Sequence, residues 1–191
     1  MRPWLRYAIC GIAGLALGTG IAVATVRAGA WGSNVAIGPW TTGTDYGTAS
    51  ASPYTRAVVA LRGLLALPAR EARYYNAAVD DSGRPLDGRC RYLVRGGPGN
   101  GAWWSLTLYD PDGYLVANPA GIYSVAGAAL PPGERGAWTV AIAPAPQPGH
   151  WLPSGGGERF ELTLRIYLPA DGGRTNPARA QLPRIERIGC P

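Results

Sequence analysis

One histidine, His150, and three cysteines, Cys10, Cys90 and Cys190, bound the chemistry open to this chain of 191 residues. A Ser-His-Asp arrangement would have to use His150, which lies in a Pro/Gly-rich loop beside Trp151. No serine stands in a G-x-S-x-G elbow, since Ser124 in Tyr123-Ser124-Val125-Ala126-Gly127 lacks the first glycine. One His and three Cys do not supply an ordinary zinc site. Asp110-Pro111-Asp112-Gly113 is too short for a calcium loop. The glycine-rich run Gly96 to Gly101 has no following Lys-Ser/Thr or helix, so it reads as a hairpin loop and not a phosphate cradle. No cofactor or metal is expected.

Carboxylates are the remaining catalytic candidates, in the close pairs Asp80 with Asp81, Asp110 with Asp112, and Glu158 with Glu161. A glycosidase needs two carboxylates about 5–10 Å apart across a cleft. Turn and surface roles account for these pairs as well, and Asp110 and Asp112 suit a tight turn. The aromatic content points to binding: Trp 7 and Tyr 10 against Phe 1 favours rings with a polar edge, as found in ligand grooves and interfaces. Trp103, Tyr109, Tyr123, His150, Trp151 and Arg165 are the ligand-binding candidates. Core packing is the competing role for most of these rings.

The elements that must position them are mostly strands. Apolar residues fall at every second position in Ala72–Asp80, Arg89–Arg95, Trp103–Tyr109, Ala137–Ala143 and Arg159–Leu168, with a weaker strand at Ile122–Val125. Asp110-Pro111-Asp112-Gly113 joins Trp103–Tyr109 to Tyr114-Leu115-Val116 as a hairpin. Short strands with many turns (Gly 28 and Pro 18) predict an antiparallel sandwich or barrel. One amphipathic helix is expected over Tyr54–Leu67. Ser52 caps it, Pro53 opens it, Val58, Leu61, Leu64 and Leu65 form its apolar stripe, and Pro68 stops it.

The N-terminus has its own logic. Ala8–Val26 carries no charge over 19 residues and follows Arg2 and Arg6. That is long enough to cross a hydrocarbon core of about 30 Å, with the basic flank held inside and the rest exported. Cleavage after Ala28-Gly29-Ala30 is the alternative, although Arg27 intervenes and the run exceeds a usual signal core. Gly14 and Gly18 form a G-x-x-x-G spacing, which allows two such helices to approach and makes a homo-oligomer an open expectation. Residues 1–30 are thus anchor or signal, 31–52 an extended linker, and 53–191 one domain. The expected location is the inner membrane with the domain in the periplasm, or a secreted or periplasmic form after cleavage near Ala30. In such an oxidising compartment Cys90 and Cys190 are expected to pair, closing a loop of about 100 residues.

Charge adds little. Net charge is +6, but Arg2, Arg6 and Arg27 flank the apolar run, leaving 15 Arg against 12 acids, or +3. Lys is absent, and the only clustering is Arg84, Arg89, Arg91 and Arg95. Three of those share the solvated face of one strand, opposite Cys90, Tyr92 and Val94. Nucleic-acid binding is not expected; a protein or envelope partner is.

Several segments together resemble the bacterial family called domain of unknown function 1214. They are Arg56-Ala57, Glu71-Ala72-Arg73-Tyr74-Tyr75, Asp80 with Gly83 and Pro85-Leu86-Asp87-Gly88, Trp104-Ser105-Leu106-Thr107, Asn118-Pro119, Tyr123-Ser124, Trp151-Leu152-Pro153 and Arg165-Ile166-Tyr167. The resemblance implies a jelly-roll-like β-sandwich with a helix near its start and no established reaction. It also implies a domain that in many larger relatives follows a second one, numbered 1254; here a membrane-type segment precedes it. The family often carries Pro-Pro and an aromatic before the Trp-Ser pair, where this chain has Pro98-Gly99-Asn100-Gly101-Ala102-Trp103. The functional expectation is a membrane-tethered binding or envelope-associated module without catalysis, or alternatively a carboxylate-dependent hydrolase acting on a carbohydrate-like substrate.

Overall fold

The computed structural model of the chain describes residues 3–27, 34–43, 45–61, 66–157 and 159–191. Leu64 and Leu65 of the expected helix, the Ala28-Gly29-Ala30 site and Glu158 lie outside the described residues.

Helix α1 runs Pro3–Arg27 and has no buried residue. At about 1.5 Å per residue its length exceeds the thickness of a hydrocarbon core. By length and composition it could cross a membrane, and a signal sequence would pass the same test. Most of its length is exposed. Only Ala22, Thr25 and Val26, near its C-terminal end, are half-buried, where it meets helix α2, Pro53–Leu61. The start of α2 is as expected: the Ser52 hydroxyl accepts the Thr55 N–H at 3.1 Å, with Pro53 at the first helical position.

The remainder is two sheets over one core. The larger contains β1 (Asn34–Ile37), β2 (Trp40–Gly43), β3 (Ala72–Ala77), β5 (Gly101–Tyr109), β6 (Ser124–Ala126) and β9 (Glu161–Pro169), in the order β1-β2-β3-β9-β5-β6. The smaller contains β4 (Arg91–Gly96), β7 (Trp138–Ala143), β8 (His150–Pro153) and β10 (Arg184–Gly189), in the order β10-β4-β7-β8. Alternation decides what is buried. Trp104, Leu106, Leu108, Leu162, Leu164 and Ile166 of the larger sheet share the core with Tyr92, Val94, Val140 and Ile142 of the smaller. Trp104 and Trp138 stack with ring centroids 4.4 Å apart. The glycine-rich run folds around them. A Cβ at Gly96 would strike Trp138, and one at Gly99 would strike Trp104.

Four expectations need correction. Part of the expected linker, residues 34–43, is the β1–β2 hairpin, extending the larger sheet through one pair, Thr41 with Asn76. Trp40 drives this: it is fully buried and its indole N–H donates to the Pro183 carbonyl at 2.8 Å. Tyr114-Leu115-Val116 is not a strand, since after the Asp110–Gly113 turn only Leu115 bridges back, to Tyr109. Strand β10 occupies a tail whose sparse apolar content concealed it; Ile185 alone of its residues is fully buried. The pairing is also not wholly antiparallel, because β8 lies parallel to β7. Pro144, Pro146 and Pro148 between them offer no N–H to a returning ladder, so the chain loops round and re-enters in the same direction.

Cys90 and Cys190 form a disulfide. It anchors the end of β10 beside the start of β4, its partner in the smaller sheet.

Candidate functional site

The face of the larger sheet turned away from the core is the unusual surface. Strand β9 sends Leu162, Leu164 and Ile166 inward, so Glu161, Thr163, Arg165 and Tyr167 point outward. Across β5 these stand opposite Tyr109, Thr107, Ser105 and Trp103 respectively. On the other side Asn76 and Tyr74 of β3 stand opposite Thr163 and Arg165. An outward face is ordinarily solvated, yet Tyr74, Ser105, Thr107 and Thr163 are buried. Buried polar groups need partners, and the Thr163 hydroxyl donates to Asn76 Oδ1 at 2.8 Å.

Arg165 is the centre of this face. Its Nη2 donates to the Tyr109 hydroxyl at 2.7 Å and its Nη1 to Thr107 Oγ1 at 3.2 Å, while the guanidinium carbon lies 5.3 Å from the Tyr109 ring centroid. Among the described residues no carboxylate forms an ion pair with it. Val58 and Leu61 of α2, the Pro111–Gly113 turn, and Val26 with Arg27 at the end of α1 complete the walls of a cleft of about 480 Å³. Asn76, Asp112 and Glu161 also line it. The volume suits a small ligand or one end of a larger one.

The sequence-derived candidates therefore divide. Tyr109 and Arg165 share the cleft. Trp103 lies further along the same face, edge-on to Tyr167 with centroids 5.2 Å apart. Tyr123 precedes β6, its carbonyl accepting the Leu108 N–H at 3.3 Å and its ring exposed. His150 and Trp151 belong to the other sheet. His150 Nε2 is 2.8 Å from Glu134 Oε2, and the Trp151 indole donates to the Ala143 carbonyl at 3.0 Å. Asn76, Thr107 and Thr163 were not among the candidates. Their trace in the sequence is a run of hydroxyl and amide side chains at the outward positions of strands whose inward positions are apolar.

Asp80, Asp81 and Asp110 of the expected carboxylate pairs take structural roles. Asp110 Oδ1 accepts the N–H groups of Asp112 and Tyr114, closing the turn. Asp81 accepts the Ile185 N–H at 2.8 Å and pairs with Arg179. Asp87 pairs with Arg89 at 2.7 Å, and the hydrogen bonds from the Arg89 side chain and N–H bring its pKa down to about 2. Arg95 pairs with Glu186 and Arg84 with Asp80, so three of the four clustered arginines have acidic partners. The structure instead places Asp112 and Glu161, from different expected pairs, on one cleft. Among the described residues no three His, Cys, Asp or Glu side chains converge on a metal position.

Two sheets over one core, preceded by an apolar helix and bearing a polar outer cleft, define the class of this architecture. The chain belongs to the family described as "Protein of unknown function (DUF1214)", whose profile matches residues 71–171. Among solved structures it is similar to the VPA0106 protein from Vibrio parahaemolyticus, at 21% identity and a TM-score of 0.61, over 92% of this chain and 44% of that one. An uncharacterized protein from Burkholderia cenocepacia matches at 22% identity and a TM-score of 0.42, over 63% of this chain and 30% of that one. The chain thus spans less than half the length of either, and the first likeness is one of fold. No curated protein matches.

Proposed function

We propose that this chain is a membrane-tethered, extracytoplasmic binding module whose ligand seat is the cleft floored by Arg165. The observation that carries the reading is the state of that arginine. It is half-buried, oriented by a phenol and a hydroxyl, and has no carboxylate ion pair among the described residues. An Arg fork held in this way is suited to a carboxylate or a phosphate. The tether is supported by the length and bareness of α1, and the outer compartment by the disulfide, which persists where conditions are oxidising.

The test is a C-terminal alkaline phosphatase fusion. It should be active in cells and remain with the membrane after carbonate washing. Recovery of an active fusion lacking the first thirty residues in the soluble fraction would overturn the tether.

A second reading, a carboxylate-dependent hydrolase, has one observation in its favour: Asp112 and Glu161 line the same cleft. Release of reducing sugar from envelope polysaccharide by the purified chain, abolished by Glu161→Gln, would favour it over simple binding.

A further inference from the structure

The walls of the cleft come from two parts of the chain with different relations to a membrane. Val26 and Arg27 are the last residues of α1, whereas Asn76, Tyr109, Thr163 and Arg165 belong to the larger sheet. If α1 spans the bilayer, as the preceding reading holds, its final turn lies at the depth of the lipid head groups, and the cleft opens at that depth. The neighbouring surface is apolar in the same place. Tyr114 and Leu115 follow the Pro111–Gly113 wall directly and are exposed, as are Ile122, Tyr123 and, on α2, Leu61. Tyrosine and aliphatic side chains standing free beside a transmembrane helix end are suited to the bilayer interface, where the ring is half wet.

The charges inside the cleft then restrict what it holds. Arg165 and Arg27 are cationic, while Asp112 and Glu161 are anionic. The Asp112 side chain makes no hydrogen bond or ion pair among the described residues, its backbone N–H alone being used, by Asp110. A purely anionic ligand would meet repulsion from the carboxylates, and a purely cationic one from the arginines. A group carrying both signs a few ångströms apart satisfies both. We infer that the cleft binds the zwitterionic head group of an aminophospholipid, with the phosphate on Arg165 and the ammonium toward Asp112. The acyl chains would leave past Tyr114 and Leu115 into the bilayer. This inference rests on the tethered-module reading and names its ligand.

Native mass spectrometry of the full-length chain released from maltoside micelles tests it. Phosphatidylethanolamine, phosphatidylglycerol and phosphatidylcholine with matched acyl chains are supplied at equal concentration. Phosphatidylethanolamine should be retained preferentially. Arg165→Gln should lower retention of phosphatidylethanolamine and phosphatidylglycerol alike by about tenfold, as for a lost charge-assisted hydrogen bond. Because Arg165 also packs within the sheet, the decisive variant is Asp112→Asn, at an exposed turn. It should abolish the preference, lowering retention of phosphatidylethanolamine while that of phosphatidylglycerol stays level or rises as the repulsion from Asp112 is relieved. Equal retention of the three lipids, or unaltered selectivity in Asp112→Asn, overturns the inference. So does soluble phosphoethanolamine displacing the lipid at equal concentration, which would make the ligand a free amino-phosphate. A chain that resists carbonate washing yet shows no lipid preference defeats this inference alone, whereas release by washing defeats the tether beneath it.

Discussion

Arg187 Nε lies 3.1 Å from Asp80 Oδ2, joining β10 to the turn after β3 through a pair whose acid is almost fully enclosed. Neither atom has a hydrogen-bonded partner, so the contact is one of charge with charge. Asp80 Oδ1 meanwhile accepts the N–H groups of Ser82 at 2.9 Å and Arg84 at 3.1 Å. The guanidinium carbon of Arg187 sits 5.3 Å from the Tyr92 ring centroid. The C-terminal strand is thus fixed by an ion pair and a ring as well as by its ladder.

Removing Arg187 should leave the buried carboxylate with only the exposed Arg84 beside it, 3.4 Å from Oδ2. Arg187→Gln is expected to cost about 1–3 kcal/mol, less than the penalty of a wholly uncompensated buried charge, because Arg84 and the hydrogen bonds to Oδ1 remain. Urea unfolding at neutral pH measures it. A loss below about 1 kcal/mol, the range of exposed pairs, would show that water already reaches Asp80.

Acid should act through the same group and two others. Burial tends to raise the Asp80 pKa, but the hydrogen bonds from Ser82 and Arg84 and the Arg84 charge bring it below the ordinary value. Asp87 and Asp171 are each lowered to about 2, the latter by the Thr175 hydroxyl and N–H and the Gly173 N–H. A folded-state pKa below the unfolded one gives stability that is complete above the unfolded value and lost as pH falls through the folded one. The melting temperature should therefore be level above about pH 5 and fall between about pH 4 and pH 2. A decline beginning at pH 6 or above would contradict this assignment.

The disulfide spans a sequence separation of 100. In the chain-entropy picture a loop of that size is worth about 4–5 kcal/mol, acting mainly on the unfolded chain. Cys90→Ser and Cys190→Ser should each lower the melting temperature by a similar amount and leave the β-type circular dichroism unchanged. Mass spectrometry of a non-reduced digest should recover the two peptides linked, and two alkylatable thiols in protein from the outer compartment would refute the pairing.

The stacked tryptophans leave no space beside them. A Cβ at Gly127 would meet the Trp104 indole. Gly127→Ala should destabilise by about 1–3 kcal/mol, as overpacking does. Near-ultraviolet circular dichroism, which reports the coupled indoles, should change with it. An unchanged spectrum with an unchanged melting temperature would mean that the loop yields freely.

Period-two patterning made the central strands legible, because β3, β4, β5, β7 and β9 each place apolar residues inward over several positions. What escaped lies where one residue does the work of a pattern. The β1–β2 hairpin depends on Trp40 and the Pro183 carbonyl, far apart in sequence, and β10 on Ile185. The cleft was half legible. Tyr109 and Arg165 stood out by type, but Asn76, Thr107 and Thr163 are ordinary polar residues until register places them beside Arg165. His150 and Trp151 drew notice as a rare residue beside an aromatic one, and the parallel β8 carries them to the other sheet.

The locked position of Trp40 also sets a reach. With residues 31–52 as a free leash, the domain could range several tens of ångströms from its helix. Because the sheet already begins at Asn34, only residues 28–33 separate it from Arg27. At no more than about 3.6 Å per residue that is a span of roughly 25 Å. On the proposed reading of α1 as an anchor, a domain held this closely would patrol a thin layer along the bilayer and meet only what lies on, or comes down to, the membrane.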